Sequence, residues 1–192
     1  MGVEEYLQLD RTTPDVRYEY IDGHVYAMSG GTVAHSWIAM NIVRLLDEQL
    51  QSGTCRVFNS DVRVHVSQDR YFYPDATISC DVADTREDND IVRSPHLVVE
   101  VLSPSTERFD RGTKFALYQE CESIEEYVLI GSQCQSVEVY RREGEKCEKG
   151  EQWTYRRYKP GQEVILESLD INLPFDAIYA RVRVPVENDD TP

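Results

Sequence analysis

The sequence predicts an α/β fold built around a mixed sheet, on three observations. Runs rich in valine, tyrosine and isoleucine fill the centre of the chain, a strongly periodic helix precedes them, and a second helical stretch separates two groups of strands. Composition agrees: of 192 residues 41% are hydrophobic and 29% charged, which describes a folded protein with enough apolar surface for a packed core.

Taken in order, VEEYLQL (3–9) reads as a short helix, and VRYEYIDGHVYAMS (16–29) as a hairpin whose turn is Asp22-Gly23. That dipeptide suits a tight turn with positive φ. From Ala34 to about Leu50, the residues Ile38, Ile42, Leu45, Leu46 and Gln49 recur at helical spacing, and Gly53 follows as a stop. Strands are expected over CRVFNSDVRVHV (55–66), YFYPDATISC (71–80) and HLVVEVL (96–102), then a helix over DRGTKFALYQEC (110–121). EEYVLIG, SVEVYRRE and QWTYRRYK read as further strands, with the turn-rich GEKCEKG between the last two, and PFDAIYARV as a closing short helix. No repeat or linker interrupts the pattern, so one domain over 1–186 and an acidic tail over 187–192 are expected.

The net charge of −15 argues against broad, non-specific binding of nucleic acid, whose partners normally present a positive surface. The acidity is uneven, however: ADTREDND (83–90) and the tail are acidic, whereas RREGEK (141–146) and RRYK (156–159) form basic islands. No run of eighteen apolar residues and no basic, apolar leader is present, so neither a membrane span nor a signal peptide is expected. The five cysteines at 55, 80, 121, 134 and 147 are odd in number and lack a Cys-x-x-Cys pair, and they read as reduced thiols in a cytoplasmic protein.

Two acids stand where hydrophobic residues belong. Asp75 follows Pro74 at the head of an apolar strand, and Glu100 interrupts LVVEV. If their strands are neighbours the carboxylates converge, and like charges at close range need a proton, a cationic side chain or a metal ion between them. Magnesium requires only one or two protein carboxylates beside water. Lys114 is the third component: with Asp110 as N-cap it lies about one turn into the next helix, within reach of the strand end that carries Glu100. Two acids, a metal and a lysine around one water are the parts needed to attack a phosphodiester.

Each residue also has a plainer reading. Asp75 could cap a turn, Glu100 could pair with Arg93, Arg108 or Arg111, and Lys114 could be a solvated lysine. Glu19, between Tyr18 and Tyr20, faces either the same acids or solvent. His35, at the start of the long helix, is either a phosphate or substrate contact or a structural histidine. The remaining histidines show no zinc spacing. Ser103, Ser105 and Thr106 lack a nucleophile elbow and read as turn and capping hydroxyls. Gly30-Gly31 lacks the ending of a phosphate loop.

In this order, YEYIDGHVYAMSG, His35 opening a helix, YPDATIS, HLVVEVLSPSTERFDRGTKFALY and IEEYVLI resemble the Uma-type restriction endonuclease family, a branch of the PD-(D/E)xK nucleases, over roughly residues 4 to 180. The resemblance implies a restriction-endonuclease-like fold, a central mixed sheet flanked by helices with a metal-dependent site at the sheet edge. It makes Pro74-Asp75 the first element and Glu100 the acid of the second. Leu102 stands where the superfamily's lysine would be, and Lys114 is the residue that matches in its place. Glu19 matches a further acidic position and an additional metal ligand. The reading that follows is a magnesium- or manganese-dependent endonuclease acting on DNA. Asp75, Glu100, Glu19 and the Val101 carbonyl hold the metal, Lys114 orients or deprotonates the water, Asp110 positions its helix, and a homodimer matches two strands. The alternatives are a catalytically silent binding or assembly module, a hydrolase of another phosphate ester, and a nuclease whose positive surface comes from a basic partner protein.

Overall fold

The computed structural model describes residues 1–143 and 152–186. It opens with helix α1 (Val3–Thr12), then strands β1 (Tyr18–Ile21) and β2 (His24–Ala27), and helix α2 (Val33–Leu50). Six strands follow: β3 (Arg56–Asn59), β4 (Arg63–Ser67), β5 (Arg70–Phe72), β6 (Ala76–Ser79), β7 (Ile91–Val92) and β8 (Pro95–Leu102). A helical segment then runs through α3 (Glu107–Phe109), a π turn (Asp110–Lys114) and α4 (Phe115–Gln119). Strands β9 (Glu126–Gly131), β10 (Val137–Glu143), β11 (Gln152–Tyr158), β12 (Glu163–Leu166) and β13 (Ile171–Pro174) lead to helix α5 (Phe175–Ile178).

The strands form mixed sheets flanked by few helices. Six are ordered β11-β10-β9-β8-β6-β3, with β8 and β9 parallel and the rest antiparallel. Five are ordered β2-β1-β5-β4-β7, and β12 pairs with β13. Strand β8 is buried at every residue but the half-buried His96 because both faces are covered, which explains its nearly unbroken hydrophobic run. Its alternation divides the core. Leu97, Val99 and Val101 face the α2 side with Ile38, Ile42, Leu45 and Leu46. Val98 and Leu102 face the opposite side with Phe72, Leu117, Tyr118 and Tyr127. By the same period of two, Glu100 belongs to that second face.

The Asp22-Gly23 turn has φ of 47° and 89°, so both residues occupy the left-handed region that this hairpin requires. Helix α2 follows the expected stripe, except that Gln49 is exposed and Leu50 takes the buried place beside it. The Asn41 amide, buried in that stripe, donates to the carbonyls of Ile178 and Ala180, satisfying the end of α5 and tying it to α2.

Three expectations need correction. Asp110 is no N-cap: the helix already begins at Glu107, and Asp110 lies inside it in helical conformation. The cysteines are not all thiols, since Cys55 and Cys80 form a disulfide. The β3–β6 register pairs Arg56 with Ser79, and its next step brings these two cysteines face to face, a contact that their 25-residue separation conceals. Cys121 and Cys134 are free, while Cys147, the GEKCEKG turn and the acidic tail lie outside the described residues. Finally, the runs 55–66 and 71–80 are not single strands: each is divided between the two larger sheets, β3 and β6 in the six-stranded one and β4 and β5 in the five-stranded one, and the short β7, β12 and β13 add pairings beyond the expected strands.

At the end of β9 the chain turns so tightly that a Cβ on Gly131 would stand 2.4 Å from the Cys134 carbonyl oxygen and 2.6 Å from the Ser136 hydroxyl. The Tyr179 hydroxyl donates to the Gly131 carbonyl and accepts from the Ser136 N–H, fixing the turn from the other side. Gly131→Ala should therefore destabilise the protein by about 1–3 kcal/mol in urea unfolding. A neutral result would mean that the turn can open.

Candidate active site

The site is assembled at the end of β8. In the β6–β8 register Ala76 lies opposite Val99, so one further step sets Asp75 beside Glu100. Asp75 Oδ2 accepts the Val101 N–H at 2.8 Å, which turns its carboxylate across the strand end. Glu100, only 5% exposed, projects into the apolar face formed by α4 and β5. Such a carboxylate needs partners, and it has two. Lys114 Nζ stands 2.8 Å from Glu100 Oε1, and the Tyr118 hydroxyl donates to the same oxygen at 2.9 Å.

Lys114 is itself buried and gathers three acids: Glu100, Glu19 at 2.9 Å and Asp110 at 3.9 Å. Arg111, one of the partners considered for Glu100, instead grips Glu138 and Glu107. The π turn contributes to this arrangement by widening the helix locally, a feature often found at functional sites. It buries Asp110 and Lys114 while Gly112 and Thr113 remain exposed, and the Tyr127 hydroxyl donates to the Asp110 carbonyl within it. Glu19 reaches the cluster from β1 and also accepts the Tyr73 N–H at 3.4 Å.

Burial alone would discharge Lys114, but Glu100, then Glu19 and Asp110, outweigh it and hold its pKa above the ordinary lysine value. Burial pushes the Glu100 carboxyl well above the usual range; Lys114 opposes this, and Asp110, Asp75 and Glu19 reinforce it. Asp110 is raised by burial in the same way, again against Lys114. The acids outnumber the cations, so the lysine remains charged and the carboxylates retain an unmet demand for positive charge.

His35 completes the cluster. Its Nε2 stands 3.4 Å from Asp75 Oδ2, and the hydrogen bond to Asp75 raises its pKa against burial, with the Val101 backbone adding to the rise. The imidazole lies over Gly31, where a Cβ would come within 2.8 Å of Nδ1. Gly31→Ala should therefore push the ring off Asp75 and lower the His35 pKa toward that of a free imidazole, as read by NMR titration. An unchanged titration would show that the contact with Asp75 does not depend on Gly31.

Every sequence-selected residue thus meets here: Asp75, Glu100, Lys114, Glu19, Asp110, His35 and the Val101 backbone. Tyr118 was missed, although its position four residues after Lys114 places it on the same helix face. Ser103, Ser105 and Thr106 bond to one another, and Ser103 accepts the Thr106 N–H, as turn residues do. A pocket of about 460 Å³ contains Glu19, Asp75, Glu100, Asp110 and Lys114. It shares Gly30, Gly31, His35 and Asp75 with a cleft of about 990 Å³ lined by α2 residues.

Among the described residues no group of three or more His, Cys, Asp and Glu side chains is arranged to hold a metal ion. A magnesium ion needs fewer, and the donor chemistry suits one: hard carboxylate oxygens from two adjacent strands, in a cluster where acids exceed cations. Among the described residues no helix is long and apolar enough to cross a membrane.

Comparison with known proteins agrees with this architecture. Residues 3–176 match the family model Uma2, described as a putative restriction endonuclease. The uncharacterized protein slr1290 of Synechocystis sp. is 35% identical over 180 residues, covering 93% of this chain and 91% of its own. A second Synechocystis protein, sll1609, also uncharacterized, is 31% identical over 128 residues, or 66% of this chain and 72% of its own. The crystal structure of a putative nuclease belonging to DUF820 from Anabaena variabilis superposes with a TM-score of 0.74 at 20% identity, covering 94% of this chain and 98% of that one. At that identity the match establishes the shared fold.

Proposed function

The chain belongs to the Uma2 family of putative restriction endonucleases, and we propose that it is a magnesium- or manganese-dependent endonuclease hydrolysing DNA phosphodiester bonds. The observation that carries this reading is the meeting of Asp75, Glu100 and a charged Lys114 in the lining of one pocket.

Asp75 and Glu100 would hold the ion, with the Val101 carbonyl as a further oxygen donor, while Glu19, paired with Lys114 at 2.9 Å, holds the ammonium instead of the metal. When bound, the ion supplies positive charge to the acid cluster and to the phosphoryl oxygens as negative charge builds on them. Lys114, kept protonated by its acids, acts as a donor: its ammonium orients the attacking water and stabilises the developing charge. Removal of the water's proton then falls to a carboxylate rather than to the lysine. The Val101 N–H and His35 fix the orientation of Asp75, and Tyr118 fixes that of Glu100. Asp110, buried 3.9 Å from Lys114, positions the ammonium and does not react. A homodimer would present two such sites to the two strands of a duplex.

One observation favours a second reading. Lys114 already has carboxylate partners on two strands, a closed arrangement that a silent binding module could retain for stability. A metal titration followed by thermal unfolding separates the two. An ion bound only by the native state adds about 2.7 kcal/mol at a hundred times its Kd, so magnesium or manganese should raise the Tm of the wild type. An unmoved Tm, combined with a more stable Glu100→Gln variant, would support the silent module.

A further inference from the structure

The approach to the site has an unusual lining for a protein that acts on nucleic acid. In the larger cleft Asp15, Asp47 and Asp75 outnumber Arg17 and Arg44. Arg17 is engaged by Asp61, and Arg44 by Glu48. Among the described residues lining the inner pocket the only lysine, Lys114, faces Glu19, Glu100 and Asp110. Duplex DNA carries one negative charge per ~1.7 Å of axis, and proteins that hold it neutralise several phosphates with lysine and arginine. This lining offers few cations for that purpose.

What it does offer is exposed apolar and aromatic surface. Tyr26 is 52% exposed and pairs across the hairpin with Glu19, which puts it on the site's face of the sheet. Met28 lines both the pocket and the cleft, and Met40 the cleft. Trp37 and Val33 continue the Met40 stripe at helical spacing on α2, all three open to solvent. Bases of a single strand, unlike those of a duplex, can leave their stack and lie on such side chains.

We propose that the substrate is single-stranded: an unpaired segment or frayed end held by base contacts with Tyr26, Trp37, Met28 and Met40, so that few phosphates need a cation. This inference rests on the nuclease reading above for its chemistry, but the binding mode can be tested separately.

The test compares a fluorescein-labelled 12-nucleotide single strand with the same sequence as a blunt duplex. Binding to the wild type is followed by anisotropy with calcium, which takes the same oxygen ligands as magnesium. The expected result is single-strand binding at least tenfold tighter than duplex binding, with a shallow salt dependence. Tyr26→Ala and Trp37→Ala should each weaken it by roughly tenfold, as expected for a lost stacking platform. Equal or tighter duplex binding, no binding of either oligonucleotide, or indifference to both substitutions would overturn the proposal. Cleavage assays with manganese separate it from the reading it rests on. Preferential cutting of duplex would overturn single-strand preference and leave the nuclease standing. Single-strand binding without cleavage would support the binding mode while contradicting the nuclease.

Discussion

Replacing Lys114 by methionine should destabilise the protein by roughly 3–5 kcal/mol at neutral pH, the usual cost of leaving buried charge without its partner, and should abolish cleavage. Lys114 is 4% exposed and its ammonium is shared by Glu100, Glu19 and Asp110. Methionine fills much of the space and removes the charge, so the loss is electrostatic rather than a cavity. The sign of the pH dependence follows. Glu100 and Asp110 are already raised by burial, and without Lys114 they rise further. A carboxyl whose folded pKa exceeds its unfolded value favours the folded state below the unfolded value, and that contribution is lost as pH climbs through the folded one. The deficit of the variant against wild type should therefore shrink as pH falls toward about 4, the ordinary carboxyl range, and widen toward neutrality. Urea unfolding at a series of pH values checks this, and a penalty that does not change with pH would remove the electrostatic explanation.

Arg63→Met should cost a similar amount, roughly 3–5 kcal/mol, though it lies outside the cluster. Arg63 is 2% exposed and bonds to Asp10 and Asp90. Asp10 also accepts from the Tyr73 hydroxyl and, at 3.1 Å, from the Tyr18 N–H. This network clamps α1 against β1 and the chain entering β6. Tyr18 precedes Glu19, and Tyr73 stands two residues before Asp75 while donating its N–H to Glu19. Loss of Arg63 strands the Asp10 carboxylate and loosens both supports of the site, so activity should fall with stability. Adding Asp10→Asn removes the stranded charge and should recover much of the stability, which a double-mutant cycle by urea unfolding would read. A fully additive pair would show that the two residues do not share one network.

Much of this was legible because local rules carried it. Asp22-Gly23 declares its hairpin because few other residues tolerate two positive φ values in succession. Helix α2 declares itself by period, failing only at Gln49, where the drift of the stripe brings Leu50 inward instead. Glu100 was visible as a charge in a strand buried on both faces. Its partner was harder to place: Lys114 is fourteen residues on, beyond a turn closed by hydroxyls and on a helix that starts earlier than Asp110 implied. The π turn that brings Asp110 and Lys114 inward has no sequence rule of its own. Cys55–Cys80 was hidden for a related reason, because only the pairing of β3 with β6 reveals that the two residues meet. Long-range register is tertiary information, and it decided most of what local pattern left open.

The central claim is that Asp75, Glu100 and Lys114 form a metal-dependent phosphodiesterase site. It is met most directly by nicking of a supercoiled plasmid that exposes unpaired segments, at micromolar protein with magnesium or manganese. Wild type should convert the plasmid to nicked and linear forms only when the metal is present, and Glu100→Gln, folded to the same Tm or higher, should lose at least a hundredfold in rate, on the order of the loss when a group acting in the transition state is removed. Equal rates for the two proteins, or cutting that persists in EDTA, would contradict the account.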